Sequence, residues 1–308
     1  MREYLLIIFA GLLATSLYNF FSCLLRALGN STVPLVFLAV SAILNIAWDL
    51  LFVAVFHWGI AGAAYATIFA QYVSGIGILL YILFRCRSLF PERKDLCFDG
   101  GILKEIAGLS SLTCLQQSVM NFGILMVQGL VNSFGATTMA AFAAAVKIDT
   151  FAYLPVQDFG NAYSTFIAQN YGAGNKERIR RGTKESFAIS TAFSLVISAL
   201  VFAFAAPLMQ IFVSSAETAV IASGVRYLRI EGAFYFGIGC LFLLYGYYRA
   251  IKRAEMSVVL TVISLGIRVL LAYVLSATFL GETGIWMAIP IGWILADLTG
   301  LLYMRKTW

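Results

Sequence analysis

VPLVFLAVSAILNIAWDLLFVAVFHWGIAGAAYATIFAQYVSGIGILLYILF, residues 33–84, holds two apolar runs, 33–56 and 60–84, separated only by His57-Trp58-Gly59. Each run is about 24 residues, enough to cross a hydrocarbon core of about 30 Å at about 1.5 Å per residue. So short a loop makes the two helices antiparallel neighbours. The first run carries a carboxylate, Asp49, with Asn45 one helical turn earlier on the same face. Asp49 lies eight residues before His57 and Thr67 eight after Gly59. Both are therefore expected about 12 Å below one membrane surface. A carboxylate, an amide and a hydroxyl at one depth suit a proton or a small hard cation such as Na+. An ionisable group at that depth is costly unless paired, hydrated or protonated, which marks it as functional by default. The alternative is a packing role, in which Asp49 only accepts hydrogen bonds from neighbouring helices.

The surrounding composition agrees with a membrane setting. The 308 residues are 61% hydrophobic and 12% charged, against about 25% charged in soluble domains. The net charge of +6 comes from bases lying between apolar runs, so it follows topology and does not indicate a nucleic-acid partner. Five cysteines without paired spacing and a single histidine leave no zinc site and no Cys–His nucleophile to work with. Arg2 before an apolar run resembles a signal peptide, but the run continues past Tyr18 with no small-residue cleavage site. It reads as a span.

The fold class is thus all-α and polytopic, with nine transmembrane helices: 4–25, 33–56, 60–84, 109–134, 139–170 (broken by Pro155), 187–212, 227–248, 256–279 and 284–304. Sixteen Lys and Arg residues fall on one side, at 26, 85–104, 176–184, 249–253 and 305–306, against only Arg2, Arg226 and Arg229 on the other. The basic side is expected to be cytoplasmic, which puts Met1 outside and the C-terminus inside. A repeat runs through the chain. Tyr4-Leu5 and Arg26-Ala27 recur 223 residues later as Tyr227-Leu228 and Arg249-Ala250. Gly59-x-x-Gly62-x-x-x-Ala66 and Leu80-Tyr81 recur 222 residues later as Gly281-x-x-Gly284-x-x-x-Ala288 and Leu302-Tyr303. Six spans separate the copies, so they share an orientation. Three spans precede the second copy and none the first, so a complete protein is expected to have twelve spans in two pseudo-symmetric lobes. The expected organisation is 1–86 as the C-terminal half of an N-lobe, 87–102 as a cytoplasmic linker with Pro91 and Gly100-Gly101, and 103–308 as a six-helix C-lobe.

The span around Pro155 is the second informative place. Proline frees the carbonyl of Phe151 and bends a helix, which membranes tolerate where a cavity or neighbour satisfies that group. Lys147, Asp149 and Asp158 lie on this span. Lys147 and Asp158 return nearly to one face but stand about 16 Å apart along the axis, too far to pair. Lys147 either serves a cavity or snorkels toward the outer interface. Asp149 and Asp158 are candidates for facing a cavity. Gln116, Gln117, Asn121, Gln128 and Asn132 thread the preceding span, the last four at spacings of 4, 7 and 4 within one broad face. Such amides serve either as helix–helix glue or as the wall of a wet pathway.

Asn45-Ile-Ala-Trp-Asp49 followed by Gly59-Ile-Ala-Gly-Ala-Ala resembles the fifth–sixth helix hairpin of MATE (multidrug and toxic compound extrusion) transporters. Arg26-Ala-Leu-Gly-Asn-Ser resembles the loop before it, and Lys147-Ile-Asp…Pro155…Ala168-Gln-Asn-Tyr-Gly-Ala-Gly-Asn175 resembles the eighth helix and the loop that follows. The resemblance covers nearly the whole chain, taken as helices four to twelve. It implies two six-helix lobes around a central cavity, export of cationic and amphipathic compounds, and coupling to sodium or proton entry. It also implies N-lobe cation ligands at Asn45, Asp49 and Thr67. Two departures accompany it: no helix-one carboxylate is present, and Gln116 and Gln117 stand where some members carry a helix-seven acid. Glu231 is the nearest helix-ten acid and lies near the outer end, so a C-lobe cation site is not expected. In the repeat, Arg268, Ala272 and Ile289 take the places of Asn45, Asp49 and Thr67.

These readings lead to a secondary active multidrug exporter of the inner (plasma) membrane. It would exchange small organic cations or amphipathic drugs for H+ or Na+ by alternating access, as a monomer in the lipid bilayer without cofactor or enzymatic activity. Substrate-cavity candidates are Gln117, Asn121, Gln128, Asn132, Lys147, Asp149 and Asp158. The alternatives are a lipid-linked sugar flippase of the same superfamily, disfavoured because Lys147 and Arg268 are the only intramembrane bases, and a truncated remnant that inserts without transporting. Topology is the first test. Cysteines engineered at residues 281–283 should react with an impermeant thiol reagent from outside, and cysteines at Asn175 or Lys252 should not; the opposite pattern reverses the orientation.

Overall fold

The computed structural model describes residues 2–86 and 97–307, apart from the side chains of residues 2–4 and 307. Arg87, Pro91, Arg93 and Lys94 of the expected linker lie outside the described residues. Ten α-helices and one π-helical segment account for most of what is described. Eight helices are long and apolar enough to cross a membrane, and a bent pair makes a ninth span if counted as one. The chain divides into two compact units, Met1–Asp99 and Gly100–Trp308.

In the first unit α3 (Gly59–Arg85) packs against both α1 (Arg2–Ala27) and α2 (Thr32–Asp49). Contact with α1 is close because Gly75 lacks a side chain: a Cβ there would stand 2.9 Å from the Ala14 carbonyl oxygen. Polar side chains turn inward at the same seams, as an apolar solvent demands. Thr15 donates to Gln71 at 2.8 Å, Tyr72 to the Ala10 carbonyl at 3.1 Å, and Ser41 to the Ala70 carbonyl at 3.0 Å. The straight α-helix expected up to residue 56 ends at Asp49. Leu50–Val55 winds as a π-helix, with the Phe56 N–H donating five residues back to Leu51 and the Trp58 N–H six back to Phe52, each at 2.9 Å.

The second unit is built around α5 (Ala136–Gly172), which packs against α6 (Lys176–Phe212), α7 (Thr218–Gly232) and α8 (Tyr235–Ala250). A hairpin of α9 (Ala254–Ser276) and α10 (Glu282–Thr307) covers α8, and α4 (Gly100–Ser133) lies along α9. Gly100 and Gly101, expected in the linker, belong to the first turn of α4. Glycines set the α5–α8 distance: a Cβ at Gly246 would meet the Gly160 carbonyl oxygen at 2.7 Å, and one at Gly160 the Phe242 carbonyl oxygen at 3.1 Å. Trp286 of α10 is fully buried, stacked on Phe142 at 5.6 Å and edge-on to Tyr227 at 4.9 Å.

Two expectations about helix breaks are corrected. Pro155 does not break its span, since α5 runs through it; one missing N–H is a local loss that the rest of the helix carries. The span expected as a single helix over 227–248 is the one that breaks. α7 and α8 meet at 52° across Ala233 and Phe234, where the Phe234 N–H donates only three residues back, to the Glu231 carbonyl, at 3.0 Å.

The repeat read from the sequence is visible in the backbone. Gly29 and Lys252, 223 residues apart, both take left-handed φ (+86° and +62°) in turns with matching hydrogen bonds. Gly29 N–H bonds to Arg26 and Asn30 to Leu25 in one turn; Lys252 bonds to Arg249 and Arg253 to Tyr248 in the other. Lys252 also pairs with Glu105 at 2.5 Å, tying the second turn to α4. Gly59 and Gly281 repeat the pattern with φ of +58° and +52°. Overpacking at a backbone-to-backbone contact costs about 1–3 kcal/mol, so Gly246→Ala should lower the thermal midpoint in detergent. Gly129→Ala should not, since a Cβ at Gly129 meets nothing within 4 Å. Equal midpoints would show that the α5–α8 approach is not what the glycine protects.

Candidate functional site

In the first unit Asn45, Asp49 and Thr67 are all half-buried. The Asn45 amide reaches the Thr67 hydroxyl at 3.5 Å, and that hydroxyl donates to the Ala63 carbonyl at 3.0 Å. Asp49 does not join them by a hydrogen bond, and its Oδ1 is buried without a partner. The expected common depth of Asp49 and Thr67 is therefore off by about one turn. The Ser41–Ala70 and Asn45–Thr67 contacts set the hairpin register, and one more step places Asp49 opposite residues 63–64. The π-helical turns contribute to the offset, since depth counted from His57 at α-helical rise is overestimated beyond them. What the unit presents is a buried carboxylate oxygen lacking a donor, one turn from an amide–hydroxyl pair.

The second unit holds a cavity of about 280 Å³ whose walls combine aromatic rings with charged groups. Asp149 from the middle of α5 and Glu231 from the last turn of α7 are 4% and 6% exposed. The break after Gly232 turns Tyr235, at the start of α8, toward the same point, and its hydroxyl donates to Asp149 Oδ1. Tyr227, one turn before Glu231, neighbours both carboxyls. Asp149 Oδ2 and Glu231 Oε2 are buried with no donor, and the two acids line the same cavity. A buried acid oxygen without a donor is satisfied by a proton or by a cation. Arg268 of α9 lines the same cavity, its Nε buried without a partner.

Of the residues expected at a substrate cavity, Gln128, Asn132 and Asp149 line this one. Gln117, Asn121 and Asp158 are exposed and outside it. Lys147 is exposed and outside the cavity, its ammonium 5.8 Å from the centre of the Phe212 ring. Sequence reasoning set Glu231 aside as peripheral, and it missed Tyr235 and Asp297. Asp297, in mid-α10, is 8% exposed beside Cys240 and Gly237, outside the cavity, with Oδ1 unpartnered. A carboxylate inside the apolar run 284–304 was the signal available for it.

The sequence profile of the family described as MatE matches residues 112–274. The chain belongs to the MATE family. It is 33% identical over 307 residues to the probable multidrug resistance protein YpnP of Bacillus subtilis, covering 99% of this chain and 67% of that protein. Identity to the probable multidrug resistance protein NorM of Thermotoga maritima is 27% over 311 residues, 98% of this chain and 66% of that protein. The fold matches that of an outward-facing multidrug resistance MATE family transporter of the MOP superfamily with a TM-score of 0.93, at 24% identity, over 99% of this chain and 68% of that one. This MATE chain thus spans about two thirds of the length of these relatives. It is a multi-pass membrane protein of a transporter family and not an enzyme.

The Tyr235–Asp149 bond gives this MATE chain a direct test. Tyr235→Phe strands a buried carboxylate oxygen, at a cost of about 1–3 kcal/mol. In an Asp149→Asn background the same change should cost less, with a coupling of about 0.5–3 kcal/mol in a double-mutant cycle read by denaturation. Strictly additive losses would show that the hydroxyl does not serve Asp149.

Proposed function

We propose that this MATE chain serves secondary active multidrug export from the inner membrane, with its C-terminus in the cytoplasm. Cationic or amphipathic compounds leave in exchange for H+ or Na+ by alternating access. Residues 1–86 contribute half of an N-lobe and residues 103–308 a C-lobe. The observation that carries the reading is the pair of buried oxygens, Asp149 Oδ2 and Glu231 Oε2, lacking donors in an aromatic-walled cavity. Rings with a quadrupole and fixed negative charge together recognise organic cations. A pyrophosphate-bearing lipid needs the opposite polarity, and this cavity sets two carboxylates against one guanidinium. The names of the relatives point the same way.

The coupling ion belongs in the N-lobe, at Asp49 with Asn45 and Thr67. Asp49 Oδ1 lacks a donor there, and Asn45 and Thr67 supply two neutral oxygens within a turn. A carboxylate can release a proton or balance a sodium charge, and an amide can do neither. In cells expressing the gene, Asp49→Asn should therefore abolish dye efflux driven by an imposed proton or sodium gradient. Asp49→Glu should retain part of it, and Thr67→Ala, which removes one hydroxyl, should cost less. Full efflux by Asp49→Asn at normal expression would reduce Asp49 to a packing residue.

A further inference from the structure

Arg268 is the one charged group of the cavity whose state no proton changes. Asp149 and Glu231 each keep a buried oxygen that a proton or a cation satisfies. A guanidinium stays charged at any physiological pH and carries five donors and no acceptor. Among the described residues those donors find nothing to bond: Arg268 makes no hydrogen bond or ion pair, and its Nε is buried. Its field reaches both acids, yet it pairs with neither.

The hairpin that carries Arg268 supplies no partner either. α9 crosses α10 tightly, since a Cβ on Gly292 would stand 3.3 Å from the Arg268 Cβ and hard against the Ser264 carbonyl. The same crossing in the first unit joins Ser41 to Ala70, the residues that correspond to Ser264 and Gly292. One turn on, Asn45 corresponds to Arg268, and its amide finds the Thr67 hydroxyl on the facing helix at 3.5 Å. In the second hairpin Ile289 takes the place of Thr67, fully buried, with a side chain that accepts nothing. What does come level with Arg268 is another donor. α4 lies along α9, and a Cβ on Gly123 would meet Leu265 at 3.2 Å. Successive spans alternate in direction, so α4 and α9 run the same way. Gln128 and Arg268, five and three residues further on, therefore lie within one turn of each other in depth, and both line the cavity.

We propose that Arg268 is an anion subsite that makes the cargo of this cavity a zwitterion, a flat organic cation bearing a carboxylate. The inference rests on the reading of the cavity as the substrate site. The guanidinium fork presents two parallel N–H groups that match the two oxygens of a carboxylate, and such a charge-assisted pair is strong in a water-poor space. The Gln128 amide adds a donor beside it. The cationic ring system of the same ligand meets the aromatic wall, where Phe142, Tyr153, Phe242 and Trp293 stand, and the acids receive its positive end. A simple anion would have nothing to offer those acids. A pyrophosphate would need a second fixed cation, and Lys147 lies outside the cavity. The assignment does not depend on how many protons the two acids hold, because the guanidinium is charged whatever their state.

Rhodamine B and its ethyl ester test this, since they share one flat cation and differ in a carboxylate, free in the first and masked in the second. Binding of each to the purified 308-residue protein in detergent is read by fluorescence polarisation against protein-free micelles. The unsubstituted protein should bind rhodamine B more tightly than the ester. Arg268→Gln should weaken rhodamine B by about tenfold or more and the ester by less than about threefold. Arg268→Lys, which keeps the charge without the fork, should recover part of the loss. A further arm needs no variant: benzoate should displace rhodamine B from the unsubstituted protein, and benzamide, its uncharged isostere, should not. An undiminished preference for rhodamine B in folded Arg268→Gln, equal losses of both dyes in that variant, or equal competition by benzoate and benzamide overturns the anion subsite. Tighter binding of the ester by the unsubstituted protein does so too, and leaves the substrate-site reading standing. Failure of the unsubstituted protein to bind either dye overturns that reading, and the proposal with it.

Discussion

Asp149 is carried in the middle of a 37-residue helix through an environment that cannot solvate it, and the Tyr235 hydroxyl is the donor that makes this tolerable. Much of the second unit is arranged to deliver that donor. Gly160 and Gly246 let α5 and α8 approach until backbone touches backbone. The break between Gly232 and Tyr235 then frees the start of α8 to face α5. A continuous helix over 227–248 would hold Glu231 and Tyr235 in one stripe, one turn apart along the axis. The bend instead brings both to Asp149, and leaves one oxygen on each acid without a donor. Irregular backbone at membrane depth survives where it lines a cavity, and here it does.

How much of this was legible in the sequence depends on the kind of signal. The spans were legible because an apolar solvent forces long apolar helices, and composition alone reports that. The repeat was legible as recurring motifs, and the left-handed backbone that Gly59 and Gly281 share came only with the structure. Asp149 was found because a carboxylate in an apolar run is conspicuous. Its partners were not, for two physical reasons. Glu231 lies in an amphipathic stretch with Arg226 and Arg229, so its charge looked interfacial until the bend at Gly232 turned it inward. Tyr235 is apolar enough to pass as lining, and nothing in one dimension says which hydroxyl will meet which acid.

The first hairpin shows a different limit. Counting residues placed Asp49 level with Thr67, and the count assumed a uniform rise. The π-helical segment directly after Asp49 breaks that assumption, and Asn45, one turn before Asp49, is the residue that meets Thr67. Single π-turns recur at functional sites because the widened ladder re-aims a side chain. Here the segment begins directly after Asp49, whose buried oxygen has no donor.

The two hairpins therefore share a scaffold and divide the chemistry. Both close with a left-handed glycine, and both cross at a small residue facing a serine. At the next turn the first offers Asn45, Asp49 and Thr67, and the second offers Arg268, Ala272 and Ile289. Ala272 and Ile289 are fully buried in the core, so the second hairpin packs where the first carries polar side chains. Its surviving polar residue carries a permanent positive charge. The acids it faces come from α5 and α7, outside the hairpin. The charged groups of the second unit's cavity are thus drawn from three helices, α5, α7 and α9, and only Arg268 among them from the hairpin.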